Sequence, residues 1–348
     1  MAPHEILLPF RDGVRAQPAA VAGTSARTRD WLTEHPDVLD AATGSALLVG
    51  IGASHAVLAA PVTELRRAGV LAVRSTGEDL PAGTALPVDL ALAVSQSGRS
   101  PETVEALGVV DRDRRLAVVN QPGSPLEAAA GRTLGLGGQV DSGMSSVAVA
   151  ATAVALGMLV ERRVAGAVTP VWQRLPELLD AVLDDGRTRA AVADFAARAA
   201  TAGCVDVAGR PASVGAAEQG ALLLREGPKV ASLGTGTRTY LHGLTDAVGG
   251  TAHVLVGGAR EAALADQLAA YGVPVLLVTD EDAPPGAGVH VAAVPSLPPL
   301  AAVVTEVAVL QLLALDLADA LGTDVDAGTL ARVDTKLPET GQDAEAGR

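Results

Sequence analysis

Short apolar runs that end in a turn of small residues and then pass into a helical pattern recur along this 348-residue chain, and they leave little choice of fold. The clearest is Leu90-Ala91-Leu92-Ala93-Val94, five apolar residues without alternation, which reads as a parallel strand buried on both faces. It runs into Ser95-Gln96-Ser97-Gly98-Arg99-Ser100, and Pro101-Glu102-Thr103 then opens a helix. Residues 46–50 pass in the same way through Ile51-Gly52-Ala53-Ser54-His55, and residues 70–73 and 116–120 supply two further strands. The order then repeats. Residues 204–208 lead into Gly209-Arg210-Pro211-Ala212-Ser213, residues 253–256 into Gly257-Gly258-Ala259-Arg260, and 275–279 match the fourth strand. Strands alternating with helices at this spacing predict an α/β protein of doubly wound parallel sheets with helices on both faces. The repetition predicts two related domains, at 46–168 and 203–321. They are preceded by N-terminal helices over 1–45, joined by helices over 169–202 and followed by a tail over 322–348.

Hydrophobic residues make up 49% of the chain and aromatic ones only 2%, so Ala, Val and Leu must supply the cores of both domains. A net charge of −14 argues against a nucleic-acid partner. The single cysteine, Cys204, excludes a disulfide framework and a cysteine-based metal cluster, and its apolar setting reads as a buried thiol. The N-terminus Met1-Ala2-Pro3-His4-Glu5 lacks the basic-then-apolar pattern of a leader. The apolar stretch 146–159 is too short to span a bilayer. The longer one at 301–321 carries Glu306, Gln311, Asp316 and Asp319, which predicts an internal helix. The expectation is a cytoplasmic protein with no membrane partner.

The run at 95–100 has the chemistry of an anion pocket. Backbone N–H groups at a helix start lack partners, serine hydroxyls donate, and glycine lets the chain approach a ligand closely. No Gly-Lys-Ser/Thr follows, so a phosphoester held without magnesium is expected rather than a nucleoside triphosphate. The corresponding run of the second copy has no hydroxyls, which predicts one anion per chain and leaves the second copy to carry chemistry.

Ser95-Gln96-Ser97-Gly98 resembles the phosphate loop of the sugar isomerase (SIS) family, which includes the isomerase half of glucosamine-6-phosphate synthase and smaller phosphosugar isomerases, deaminases and deglycases. The resemblance implies two tandem SIS domains. It assigns Ser54, Ser95, Gln96, Ser97 and Ser100 to a substrate phosphate, and Gly52, Ala53, Met144 and Ser146 to a sugar pocket; as plain sequence, Ser146 also reads as a helix cap. His55 is expected to start a helix near the site. Glu226 ends an apolar helical stretch and His242-Gly243 follows sixteen residues later, the family's own separation. Glu226 is thereby implied as the base that moves a proton between C1 and C2 of an open-chain phosphosugar. His242 is implied as the acid, shared across a homodimer. The chemistry suits those residue types: a carboxylate held beside the carbon, and an imidazole that exchanges protons near neutral pH.

Two departures bear on mechanism. The synthase has a lysine three residues before the base, where this chain has Leu223. The synthase's C-terminal lysine aligns with Arg332, and Lys336 takes that catalytic role if the tail shifts by a turn; an arginine cannot form a Schiff base. The resemblance therefore implies a phosphosugar aldose–ketose isomerase or aminosugar-6-phosphate isomerase or deaminase that needs no glutaminase, metal or cofactor. A fructosamine-6-phosphate deglycase, a non-catalytic sugar-phosphate-binding regulator and a subunit complementing a separate amidotransferase remain as alternatives.

Overall fold

The computed structural model describes residues 8–38, 44–80, 83–282, 286–330 and 335–337. The chain opens with α1 (Phe10–Glu34), which continues through Pro18 and buries Phe10, Val14 and Val21. A five-stranded sheet follows, built from β1 (Ser45–Val49), α2 (Ala53–Ala56), α3 (Ala59–Arg67), β2 (Leu71–Ser75), β3 (Leu90–Ser95), α4 (Pro101–Ala106), β4 (Arg115–Val119), α5 (Pro125–Ala129) and β5 (Arg132–Gly135). Three long helices connect it to the next sheet: α6 (Val147–Ala165), α7 (Val171–Asp184) and α8 (Gly186–Ala199). The second half contains β6 (Cys204–Gly209), α9 (Val214–Glu226), β7 (Ser232–Gly236), α10 (Thr237–Tyr240), β8 (Thr251–Val256), α11 (Ala259–Ala269), β9 (Val275–Thr279), β10 (Val289–Ala293) and α12 (Pro299–Leu321).

The first sheet runs β2-β1-β3-β4-β5 and the second β7-β6-β8-β9-β10, so both have one topology, with every strand parallel. In each, the strand order reverses between the first and third strands. That is where open α/β sheets bind ligands, outside the carboxyl ends of the strands. The near-absence of alternation in β3, β8 and β9, all six or five residues buried, follows from helices covering both faces. Three elements go beyond the sequence reading. β5 and β10 are short edge strands with exposed or half-buried residues, and Ser232–Gly236 pairs with β6 as β7.

α12 is long and apolar enough to cross a membrane, but 94% of its most apolar window is buried inside the protein. It packs against α6, α7, α8 and α9 and forms the spine shared by both domains. Pro299 opens it and Gly322, at φ +65°, ends it in the left-handed conformation.

Candidate functional site

The turn after β1 and the loop after β3 lie side by side, because Val49 pairs with Ala93 in register. Gly98 sits at φ +63°, and a Cβ there would lie 2.1 Å from Ser124 Oγ, so no other residue fits without displacement. The Ser95 hydroxyl accepts from Gly98 N–H (3.0 Å) and the Ser97 hydroxyl from Arg99 N–H (3.3 Å), which folds the loop around its own serines. Ser95 and Ser100 are buried, while Gln96, Ser97 and Ser54 are half-buried. Gln96 is tied down through its carbonyl, which accepts from Gln121 N–H at 3.1 Å.

A cation completes this cradle. Lys336 Nζ lies 2.9 Å from Ser97 Oγ and 3.5 Å from Ser100 Oγ. The tail is pinned there from both sides: Leu337 N–H donates to Arg99 C=O (2.7 Å), and Arg99 Nε–H donates to Leu337 C=O (2.5 Å). Lys336 therefore stands at the anion loop. Arg332 lies outside the described residues.

α9 brings the second domain to the same place. Gly215, Gln219, Leu222 and Glu226 fall at helical spacing on one stripe. A Cβ on Gly215 would meet Ala56 C=O at 2.4 Å, and one on Gly52 would lie 3.8 Å from Leu222 Cδ2, so the stripe rests on the first domain's turn. Glu226, half-buried, is the next turn along. A Cβ on its neighbour Gly227 would meet Met144 Cε at 3.0 Å and Val325 Cγ2 at 2.9 Å. Gly52 and Met144 of the first half thus lie against α9, Gly52 at Leu222 and Met144 at the glycine that follows Glu226.

Gln219 was not singled out from the sequence. It is 1% exposed and its side-chain oxygen has no hydrogen-bond partner among the described residues, on the same stripe as Glu226. Its i, i+3, i+7 relation to Leu222 and Glu226 was the available signal.

Other residues fall elsewhere. Ser146 is fully buried, and its hydroxyl is taken by Asp141 (2.9 Å) and Ser142 (2.8 Å) facing α1, so it does not open onto the cleft. It occupies the cap position of α6, but the capping group is Asp141, whose carboxylate accepts from the N–H groups of Ser146, Val147 and Ala148. Leu223 is fully buried in the core. His55 follows Ser54 in α2, and burial, aided by the Arg74 guanidinium, holds its pKa below the ordinary 6.5. Arg74 also joins the domains, donating to both Glu218 carboxylate oxygens (2.5 and 2.6 Å) and to His55 C=O. His242 is exposed in the turn after α10, beside edge strand β7. Among the described residues its imidazole forms no hydrogen bond or ion pair within the chain.

Neither a family model nor a curated protein matches the chain. Solved structures do. The C-terminal domain of glucosamine-fructose-6-phosphate aminotransferase from Francisella tularensis superposes with a TM-score of 0.80 at 18% identity, over 94% of this chain and 99% of that one. Tagatose-6-phosphate ketose/aldose isomerase from Escherichia coli gives 0.74 at 17% identity, over 93% and 96%. Glucosamine-6-phosphate deaminase from Thermotoga maritima gives 0.68 at 17%, over 91% and 98%. The chain has the fold of the tandem sugar isomerase domain proteins. At this identity the likeness is one of fold, and it extends over nearly the whole length of each structure.

Proposed function

We propose that the protein is a phosphosugar isomerase or aminosugar-phosphate deaminase that transfers a proton between C1 and C2 of an open-chain 6-phosphosugar. The observation that carries this is the seating of the α9 stripe ending at Glu226 on the turn next to the serine–lysine cradle. The phosphate is taken by Ser54, Ser95, Gln96, Ser97 and Ser100 with Lys336 as counter-charge, and this anchors the sugar carbons toward Glu226. The Glu226 carboxylate removes the C2 proton; the C2–H electrons become the C1=C2 bond of an enediol as the carbonyl oxygen accepts a proton. Return of the proton to C1, with the C2 hydroxyl giving up its own proton as C2=O forms, gives the ketose. Gln219 accepts a hydroxyl of the open chain. Seated on the phosphate loop, Lys336 neutralises charge there and forms no imine at C1. His242 supplies the acid to a neighbouring subunit of a homodimer, in keeping with its exposure at the sheet edge. The reaction belongs to the cytoplasm, where phosphosugars are found.

The test is turnover of fructose-6-phosphate with ammonia, of glucosamine-6-phosphate and of a 6-phosphorylated fructosamine, with deuterium wash-in at C2 from heavy water. Glu226→Gln is expected to lower turnover by about 10²–10⁴-fold while phosphosugar affinity stays the same. Binding without turnover of any of the three would make the protein a sensor. Absence of both overturns the reading.

A further inference from the structure

His242 lies in a segment with little else to hold it. Leu241 to Gly243 are exposed, Gly243 is at φ +111°, and the 3-10 stretch Leu244–Gly250 has no buried residue. The anchor is two residues upstream. Tyr240 is 1% exposed, packed under the second sheet against Leu255 and Leu264. Its hydroxyl lies 2.6 Å from His253 Nδ1 and 3.2 Å from Asp206 Oδ2. Asp206 is on β6 and His253 on β8, paired with each other in register. Thr251 Oγ1 then lies 3.0 Å from His253 Nε2 and 3.3 Å from Ala247 C=O, which ties the far end of the segment to the same group.

Donor counting orders the network. An ionised carboxylate only accepts, and besides Tyr240 the Asp206 side chain has a weak thiol donor, Cys204 Sγ at 3.7 Å. Tyr240 therefore donates to Asp206 and accepts from His253 Nδ1–H, and the single Thr251 hydroxyl proton goes to Ala247 C=O. Burial and the Asp206 charge push the Tyr240 pKa up, and burial holds the fully buried His253 below 6.5, so both stay neutral and the order is preserved. A satisfied buried polar network is rigid and unforgiving of displacement. Apolar side chains of similar size would fill the same space, so the polar set serves to fix a position.

We propose that Tyr240 is the positioning residue for His242: Asp206 and His253 hold its hydroxyl, and this sets where the exposed turn presents the imidazole. The proposal rests on the reading of His242 as the acid. Tyr240→Phe keeps the packing and removes the hydroxyl. It is expected to lower kcat by about 10- to 100-fold with KM changed less than about twofold, the scale of a small misplacement of a reacting group. Trp172→Phe, which removes another buried donor by breaking the 2.5 Å bond to Glu161, serves as a stability control and is expected to leave kcat unchanged. In a His242→Ala background Tyr240→Phe should have no further effect, because residues acting through one another are not additive. An equal loss in both backgrounds overturns the proposal. If His242→Ala itself leaves turnover unchanged, the functional reading of His242 falls. The positioning claim is then decided by amide exchange over 237–250 and by the His242 ring resonances, which Tyr240→Phe should accelerate and shift; unchanged spectra overturn it.

Discussion

The two switch points of this molecule share a backbone and differ in what fills it. After β1, a Cβ on Gly50 would lie 2.9 Å from the carbonyl carbon of Ser54; after β6, a Cβ on Gly209 would lie 2.8 Å from that of Ser213. The same turn is made twice, with a serine four residues on. In the first copy the serine loop receives Lys336, which donates to Ser97 (2.9 Å) and Ser100 (3.5 Å). In the second, Ser213 donates to Glu306 (2.7 Å), and Arg210 bonds Asp280 (2.9 Å) and Glu306 (3.4 Å). The second loop is closed by a carboxylate: Glu261, 3% exposed, accepts from Gly258 N–H at 3.1 Å, where the first loop's N–H groups of Gly98 and Arg99 are taken by serine hydroxyls. What remains is a cavity of about 220 Å³ lined in part by Arg67, Arg210, Ser213 and Asp280. Duplication supplies the geometry, and the two copies differ in whether serines and a tail lysine or an arginine–carboxylate cluster fill it.

The sharpest way to break that comparison is to put a methyl group on each loop. Gly98→Ala places Cβ against Ser124 Oγ and Cβ at 2.4 Å from Ser124 Cβ, at a positive φ that L-residues avoid. It should cost about 2–4 kcal/mol and remove phosphosugar binding. Gly258→Ala has φ −109° and meets Glu281 Oε1, the end of a mobile side chain, so it should cost about 1 kcal/mol or less. Paired thermal melts and ligand titrations check both. Equal losses would mean that the two loops are under the same constraint.

A smaller effect sharpens the comparison from the other side. Lys336 brings the first cradle a cation from the tail, bonded to the loop serines. Lys336→Ala is expected to weaken phosphosugar binding about tenfold, the worth of one charge-assisted hydrogen bond, and to reduce the salt dependence of binding. Calorimetric titration at two ionic strengths measures it. Unchanged affinity would remove the tail from the site.

The copies were legible in the sequence because each depends on local chemistry. Apolar runs without alternation marked β1, β3, β4, β6, β8 and β9, and the glycine–serine turns marked the switch points. β7 and β10 escaped because their residues are largely exposed or half-buried and β7 is rich in Gly and Thr, so that pairing with a neighbour, not composition, makes them strands. Ser146 could not be placed from sequence alone. Whether a hydroxyl faces a pocket or a capping carboxylate depends on Asp141 folding back over the start of α6. The filling of the second switch point was equally hidden, since Arg210, Asp280 and Glu306 are separated by tens of residues and meet only in the fold.

The smallest effect concerns that hidden filling. Glu306 is 1% exposed, one of its carboxylate oxygens has no hydrogen-bond partner among the described residues, and burial raises its pKa above the ordinary 4.5. The folded chain therefore holds its proton more tightly than the unfolded chain does. The stabilisation it contributes is complete below pH 4.5 and is lost as pH rises from there through the raised folded value. Buried His253 and half-buried His55 and His290 act in the opposite sense: their folded pKa values lie below 6.5, so the stability tied to keeping them neutral is complete above 6.5 and lost as pH falls. The histidines are common to wild type and Glu306→Gln and cancel in the difference between them. Glutamine keeps an oxygen to accept from Ser213 and carries no charge to desolvate. Relative to wild type, Glu306→Gln should gain stability as pH rises from 4.5, by at most about 1.4 kcal/mol per pH unit. Urea melts at pH 5, 6, 7 and 8 read that slope directly. A flat difference would mean that Glu306 is ionised at no cost, with Arg210 fully compensating it, and the second switch point would then be a neutralised ion cluster carrying no stored penalty.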